Sequence, residues 1–199
     1  DAKSWTQEAV DSIDTASDKI VGWLQSPWAP RVNTRGLVVG YVQSGKTANF
    51  TAVIAKAADA GYRFFIVLSG TKKSLRSQTQ ARLSRELVNL NDDVWFTPTA
   101  EHDFKPLGNV NYFLSDKKHD KVLCVVKKNT AVLRKLYVWL HGASSHVLRE
   151  CPFLIIDDEA DEASVNTAPS QAITAGEHRD RSVINRRVVE LLQLLPKAA

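Results

Sequence analysis

Residues 37–47 read Leu37-Val38-Val39-Gly40-Tyr41-Val42-Gln43-Ser44-Gly45-Lys46-Thr47, an apolar run followed by the pattern G-x-x-x-x-G-K-T. A helical pattern follows at residues 48–60, so the motif has the strand-before, helix-after setting of a phosphate-binding loop. Backbone N–H groups of such a loop surround the β-phosphate, its lysine reaches the β- and γ-phosphate oxygens, and its threonine hydroxyl ligates Mg²⁺. The alternative is a glycine turn that carries a lysine by chance. We expect a strand at residues 36–39 and a nucleoside triphosphate bound by Gly40, Gln43, Ser44, Gly45, Lys46 and Thr47, with the metal ion on Thr47.

A second motif joins an apolar run at residues 153–156 to the carboxylates of Asp157, Asp158, Glu159 and Asp161. Parallel α/β sheets bind their ligands at the carboxyl ends of the strands, which is where this acidic cluster would lie. The pattern predicts that Asp158 holds Mg²⁺ through water and that Glu159 is the base that polarises an attacking water. The alternative is an acidic turn that caps the following helix.

The rest of the chain alternates strand and helix patterns, which predicts an α/β fold with a mostly parallel open sheet and helices on both faces. We expect residues 1–30 to form a helix that leads into the core, and residues 31–199 to form one P-loop NTPase domain. The predicted strands are residues 36–39, 64–68, 94–97, 121–126 and 153–157. The predicted helices are residues 4–24, 48–60, 74–90, 130–141 and 181–195, and residues 98–118 read as a surface loop.

Two polar and basic segments follow predicted strands at the same sheet edge. Hydroxyls, backbone amides and lysines at such an edge can hold a nucleic-acid backbone without reading bases. A solvated basic rim with helix caps is the alternative. The residues concerned are Ser69, Gly70, Thr71, Lys72, Arg76, Gln78, Arg82, Lys127, Lys128 and Asn129.

Composition narrows the class of protein. The net charge is +4, the two cysteines lack metal-binding spacing, and the five histidines are scattered, so we expect reduced core cysteines and no histidine metal site. The apolar runs are too short to span a bilayer, so we expect a cytoplasmic protein with no membrane partner. The chain starts at Asp1 and has no methionine, which indicates a piece of a longer protein.

The order of these motifs resembles the first RecA-like motor domain of superfamily 2 helicases. The chain is more closely similar to the Z-one domain family, bacterial and phage-related proteins described as endonucleases and often found with restriction or defence systems. The phrases that carry this likeness are residues 40–47, Asp59-Ala60-Gly61-Tyr62-Arg63, residues 75–83, Val125-Val126-Lys127-Lys128-Asn129 and residues 154–161.

This resemblance implies a nucleic-acid-dependent ATPase that uses ATP and Mg²⁺, with Lys46, Asp158 and Glu159 as catalytic residues and nucleic acid, DNA favoured over RNA, as partner. It also implies a second motor domain and a nuclease region elsewhere in the longer protein. The second motor domain normally completes the ATP site with arginines, a contribution of roughly 10³–10⁵ in rate. We therefore expect the isolated fragment to be weakly active or inactive. A P-loop kinase, a nucleotide-dependent switch, or an interaction module that acts without nucleic acid remain alternatives.

Overall fold

The structure, a computed structural model, describes residues 5–39, 46–91, 93–115, 121–160 and 183–199. Within these ranges a four-stranded sheet forms the centre of the molecule. Its strands are β1 (Phe64–Ser69), β2 (Trp95–Phe96), β3 (Lys121–Lys127) and β4 (Phe153–Asp157). They are all parallel and lie in the order β2-β3-β1-β4, so the predicted parallel α/β fold is confirmed at this level.

Helices connect and cover the strands. They are α1 (Gln7–Trp23), α2 (Lys46–Asp59), α3 (Lys73–Glu86), α4 (Val110–Leu114), α5 (Thr130–His141), α6 (Ser145–Glu150) and α7 (Val183–Leu194), with a 3₁₀ turn at Val88–Leu90. Helix α4 lies inside the stretch that the sequence predicted to be a loop, and α6 was not predicted. Both are too short to show a sustained 3.6-residue period, because each makes only one or two turns.

Alternate residues of β1 build two separate cores, one on each face of the sheet. Phe64 and Ile66 belong to the core that contains residues of α5 and α7. Phe65 and Val67 belong to the core that contains residues of α2 and α3. Because successive strand residues project to opposite faces, a wholly apolar strand requires cover on both sides. The predicted placement of helices on both faces is therefore confirmed.

The prediction of a strand at residues 36–39 is wrong. Leu37, Val38 and Val39 are 81%, 59% and 86% exposed and have no strand assignment. Residues 197–199 occupy the edge of β4 on that side, with Phe153 N–H donating to Lys197 O at 2.7 Å. The segment that leads to residues 37–39 lies outside this edge and forms a bridge to it only at Val32, which pairs with Lys197. Residues 37–39 have no described strand beside them to pair with their backbone N–H and C=O groups, and they do not form a strand.

Both cysteines are free thiols in the interior. Cys124 of β3 is fully buried, and Cys151, just before β4, is 1% exposed. The prediction that they are reduced core residues is confirmed. In the described ranges, no helix combines the length and the apolar character that crossing a membrane requires.

Candidate functional site

The register of the sheet brings three strand ends to one edge. Ser69 at the end of β1 pairs with Lys127 at the end of β3, and Leu68 pairs with Asp157 at the end of β4. The N–H of Asp158 donates to Leu68 O at 2.9 Å, which extends this alignment one residue past β4. The predicted acidic and basic segments therefore lie side by side, as a parallel sheet requires.

The acidic segment turns sharply as it leaves β4. Glu159 has a φ of 56°, and in the described residues it is the only one other than glycine with a positive φ. A left-handed conformation is unfavourable for a residue with a β-carbon and persists where surrounding contacts hold it. Asp158 is half-buried and Glu159 is exposed. The turn thus keeps one carboxylate at the sheet and leaves the next facing outward into solvent.

Lys46 and Thr47 begin helix α2. The Lys46 side chain is exposed, and the carbonyl of Thr47 accepts a hydrogen bond from Thr51 Oγ1 at 2.7 Å. The other predicted phosphate-binding residues, Gly40, Gln43, Ser44 and Gly45, lie outside the described residues. So does Asp161, the last carboxylate of the acidic motif.

The charge of Lys46 reaches the acidic turn. Burial raises the pKa of Asp158 above its usual value, and the ammonium groups of Lys128 and Lys46 oppose this effect by favouring the ionised carboxylate. A hydrogen bond from the Glu159 backbone acts in the same direction as the two lysines. The first residue of α2 and the first residue after β4 are therefore electrostatic neighbours, although 112 positions separate them in the sequence.

The predicted nucleic-acid contacts divide by exposure. Thr71, Lys72, Gln78 and Asn129 are exposed, and Lys127 and Arg82 are partly exposed. Arg82 forms an ion pair with Glu86 at 3.1 Å, and Asn129 Oδ1 caps α5 by accepting from Ala131 N–H at 3.0 Å. These six residues remain on a surface that another molecule could reach.

Four residues of the same prediction lie inside the protein. These are Ser69, Gly70, Arg76 and Lys128. Their side chains or backbones are used in contacts between the strand ends and the covering loops, so these four residues do not lie on the surface where the sequence prediction placed them. Residue type alone did not distinguish these buried positions from the exposed ones.

Arg76 shows what such a buried polar residue does instead. It is 3% exposed, and its Nη1 donates to the carbonyls of Thr99, His102 and Val125 at 2.6, 3.2 and 3.5 Å. Thr99 in turn donates to Gln80 Oε1 at 2.8 Å and accepts from Val125 N–H at 2.8 Å. This network fixes the loop after β2 against α3 and β3.

A signal for this network was present in the sequence. The apolar positions Leu83 and Leu87 define the inward side of α3, and Gln80 and Arg76 continue the same spacing towards its N-terminus. Both are polar, and from sequence Arg76 is a predicted nucleic-acid contact and Gln80 has no assigned role. Helical position was here a better guide to burial than residue type.

Lys128 is the clearest departure from the sequence prediction. Its side chain is 0% exposed, and its Nζ lies 3.0 Å from Asp157 Oδ1. The same Nζ donates to the carbonyl of Asp158 at 2.8 Å and to the carbonyl of Glu159. A lysine expected on the rim is instead the cation around which the acidic turn is built.

Among the described residues, no group of three His, Cys, Asp or Glu side chains is placed to hold a metal ion. Comparisons of the chain with family models, with curated proteins and with solved structures found no match.

Proposed function

We propose that this chain binds Mg·ATP at the edge formed by the start of α2 and the end of β4, and hydrolyses it in response to nucleic acid. The observation that carries this proposal is that helix α2, which begins at Lys46 of the G-x-x-x-x-G-K-T motif, contacts β4, the strand that leads into Asp158. Lys46 is close enough to lower the pKa of Asp158 against the effect of burial. A cation for phosphate and an anion for a metal ion are the two charges that a nucleotide site needs at adjoining positions.

Each residue has a role that follows from its chemistry. Lys46 neutralises the negative charge of the β- and γ-phosphates. Glu159 is exposed beside the turn, where it can accept a proton from an attacking water. The backbone N–H of Asp158 donates a hydrogen bond to the carbonyl of Leu68, which fixes the backbone position from which the carboxylate extends.

The donor set is compatible with Mg²⁺. Magnesium prefers oxygen ligands and is commonly held by one or two carboxylates together with waters and substrate phosphates. Asp158 and the Thr47 hydroxyl are the described oxygen donors that would hold it. Bound there with the nucleotide, the ion would neutralise charge that develops on the phosphate oxygens during transfer.

The exposed residues among the predicted nucleic-acid contacts support nucleic acid as the activating partner, and the family resemblance favours DNA over RNA. Lys72 and Thr71 lie at the start of α3, and Lys127 ends β3 at the same edge. Lysines and backbone amides in such an arrangement bind phosphates without sequence preference. The Z-one domain family and the superfamily 2 motors, which the motifs resemble, would place this module in a larger protein that processes nucleic acid.

Nucleotide binding by the 199-residue chain, together with ATP turnover by a longer form of the protein that contains it, tests the proposal. Lys46→Ala should weaken binding of a fluorescent ATP analogue with Mg²⁺ by about tenfold or more, because charged hydrogen bonds contribute about 1.5–3 kcal/mol each. Glu159→Gln should bind the analogue as the wild type does but lose turnover. Lys105→Ala, an exposed lysine outside the site, is the matched control. Equal binding by the wild type and Lys46→Ala would refute the site.

The same turnover assay, repeated with DNA, with RNA and with neither, separates the classes of function. Stimulation by a nucleic acid supports the motor. Transfer of the γ-phosphate to an added acceptor supports a kinase instead. Binding with no turnover under any of these conditions, also in a longer form of the protein, supports an interaction module.

A further inference from the structure

Lys128 has its full set of hydrogen-bond partners inside the protein. An ammonium group has three N–H donors, and the three acceptors here are Asp157 Oδ1 and the carbonyls of Asp158 and Glu159. The side chain is 0% exposed, so no donor is left for solvent. Burial of a cation is unfavourable unless its donors are paired. Loss of any of these three acceptors would therefore destabilise the buried ammonium group.

The position of Lys128 is also fixed through its backbone. Its N–H donates to the carbonyls of Ser69 and Gly70 at 3.1 and 3.3 Å, which ties the end of β3 to the end of β1. The side chain then reaches past β1 to the turn after β4. One residue therefore joins three neighbouring strand ends.

The turn that Lys128 grips is the one with the left-handed residue. Its ammonium donates to the carbonyl of Glu159 and to the carbonyl just before it, on either side of the φ of 56°. Such a conformation is unfavourable for a residue with a β-carbon and needs contacts that hold it. The two carbonyl contacts from Lys128 supply that constraint from outside the turn.

We propose that Lys128 is a positioning residue for the nucleotide site: its ammonium holds the turn at residues 157–159 so that Asp158 and Glu159 face Mg·ATP, and it occupies Asp157 so that this carboxylate does not compete for the metal ion. The inference rests on the proposed ATPase function and adds to it a residue that touches neither nucleotide nor water. It also assigns different tasks to the two adjacent aspartates. Asp157 pairs with a lysine, and Asp158 serves the metal.

The kinetic test uses a longer form of the protein that hydrolyses ATP, and compares Lys128→Ala with the wild type and with Lys135→Ala, an exposed lysine on α5. Loss of a residue that orients metal ligands commonly reduces activity by roughly 10- to 100-fold, so kcat should fall by that factor. KM for Mg·ATP should stay near the wild-type value because Lys46 is intact. Lys135→Ala should keep both constants. Wild-type kcat in folded Lys128→Ala, or an equal loss of kcat and of affinity, would overturn the proposal.

Chemical rescue separates positioning from a general loss of structure. Removal of the Lys128 side chain beyond Cβ deletes a propylammonium group, so added n-propylammonium should restore part of kcat in Lys128→Ala. Tetramethylammonium, which has charge but no N–H donors, should not restore it. If neither ion restores turnover, or if both do, the hydrogen bonds donated by Lys128 are not the cause of its effect on kcat, and the proposal is overturned. Should Lys128→Ala fail to fold, Lys128→Met keeps the aliphatic volume and carries the same kinetic comparison.

A measurement without nucleotide makes failure of this inference distinguishable from failure of the ATPase proposal. Hydrogen exchange of the peptide that covers residues 153–160 should be faster in Lys128→Ala and Lys128→Met than in the wild type, while exchange in α5 stays unchanged. Unchanged exchange in residues 153–160 overturns the positioning role, whatever the wild type does with ATP. Faster exchange together with a wild type that neither binds nor hydrolyses ATP keeps the turn-holding role and removes the nucleotide from it.

Discussion

Two apolar segments, residues 37–39 and β1, predict strands about equally well from sequence, but the structure treats them in opposite ways. Phe64, Phe65 and Ile66 of β1 are fully buried, whereas Leu37 and Val39 are more than 80% exposed. The difference lies in their neighbours. Strand β1 has β3 on one side and β4 on the other, with helices over both faces. Residues 37–39 have no described strand beside them.

The comparison shows that a run of apolar residues is not sufficient to form a strand. A strand buries its backbone only when adjacent strands take up its N–H and C=O groups. The boundary can be located within one segment, because Val32 is 2% exposed and bridges Lys197, while Val38, six residues later, is 59% exposed. Backbone pairing with the C-terminal segment ends after Val32, and the residues that follow it at positions 37–39 are exposed.

The largest expected effect separates the two segments directly. Phe65→Ala should lower the free energy of unfolding by about 3–5 kcal/mol, since it removes a fully buried ring packed 5.3 Å from the ring of Trp95. Leu37→Ala should change it by less than about 0.5 kcal/mol. Urea denaturation followed by circular dichroism measures both. A loss of several kcal/mol in Leu37→Ala would mean that residues 37–39 are packed in solution.

A smaller effect should mark the point at which the outer segment leaves the sheet. Val32→Ala should destabilise the protein by about 1.5–3 kcal/mol, the value for a buried valine side chain. Val38→Ala, the same substitution on the exposed side of the boundary, is its control. The two variants are compared by the same denaturation method, and equal midpoints would place the boundary elsewhere.

The smallest effect concerns the entrance to β1. Tyr62 is 1% exposed and donates its hydroxyl to Gln25 O at 2.8 Å, so Tyr62→Phe should cost about 0.5–1.5 kcal/mol. Burial raises the pKa of Tyr62 from 10.0 to about 12. The unfolded chain therefore loses this proton first, and the contribution present below pH 10 is lost between pH 10 and 12. Tyr62→Phe should show a smaller fall in stability across that interval, and an identical fall in both proteins would exclude Tyr62 as its source.

Much of the fold followed from the sequence for physical reasons. Strands β1, β3 and β4 are continuous apolar runs bounded by polar residues, the pattern of strands buried on both faces, and their observed ends lie within one residue of those predicted. Helix α5 was also predicted at its observed bounds, and in the structure the Asn129 side chain caps its first turn. The predictions for short helices and for the unpaired residues 36–39 were wrong, because the conformation of such segments depends on contacts with residues distant in sequence.

The candidate site was predictable in its location but not in its internal contacts. Strand ends of a parallel sheet meet at one edge, so the meeting of the basic and acidic segments could be derived from the sequence. Whether Lys127 or Lys128 faces inward depends on the path of the chain after β3, which composition does not encode. The two lysines are adjacent and chemically identical, yet one is partly exposed and the other is fully enclosed.

The buried thiol of Cys124 can be used to measure how often the core of the protein opens. Burial raises the pKa of the Cys124 thiol well above its usual range, and only the thiolate form attacks an alkylating reagent. Cys124 lies at the middle of β3, directly beside Ile66 of β1. Its thiol belongs to the core that contains residues of α5 and α7, so alkylation of Cys124 requires that core to open, and the rate of labelling records how often it does.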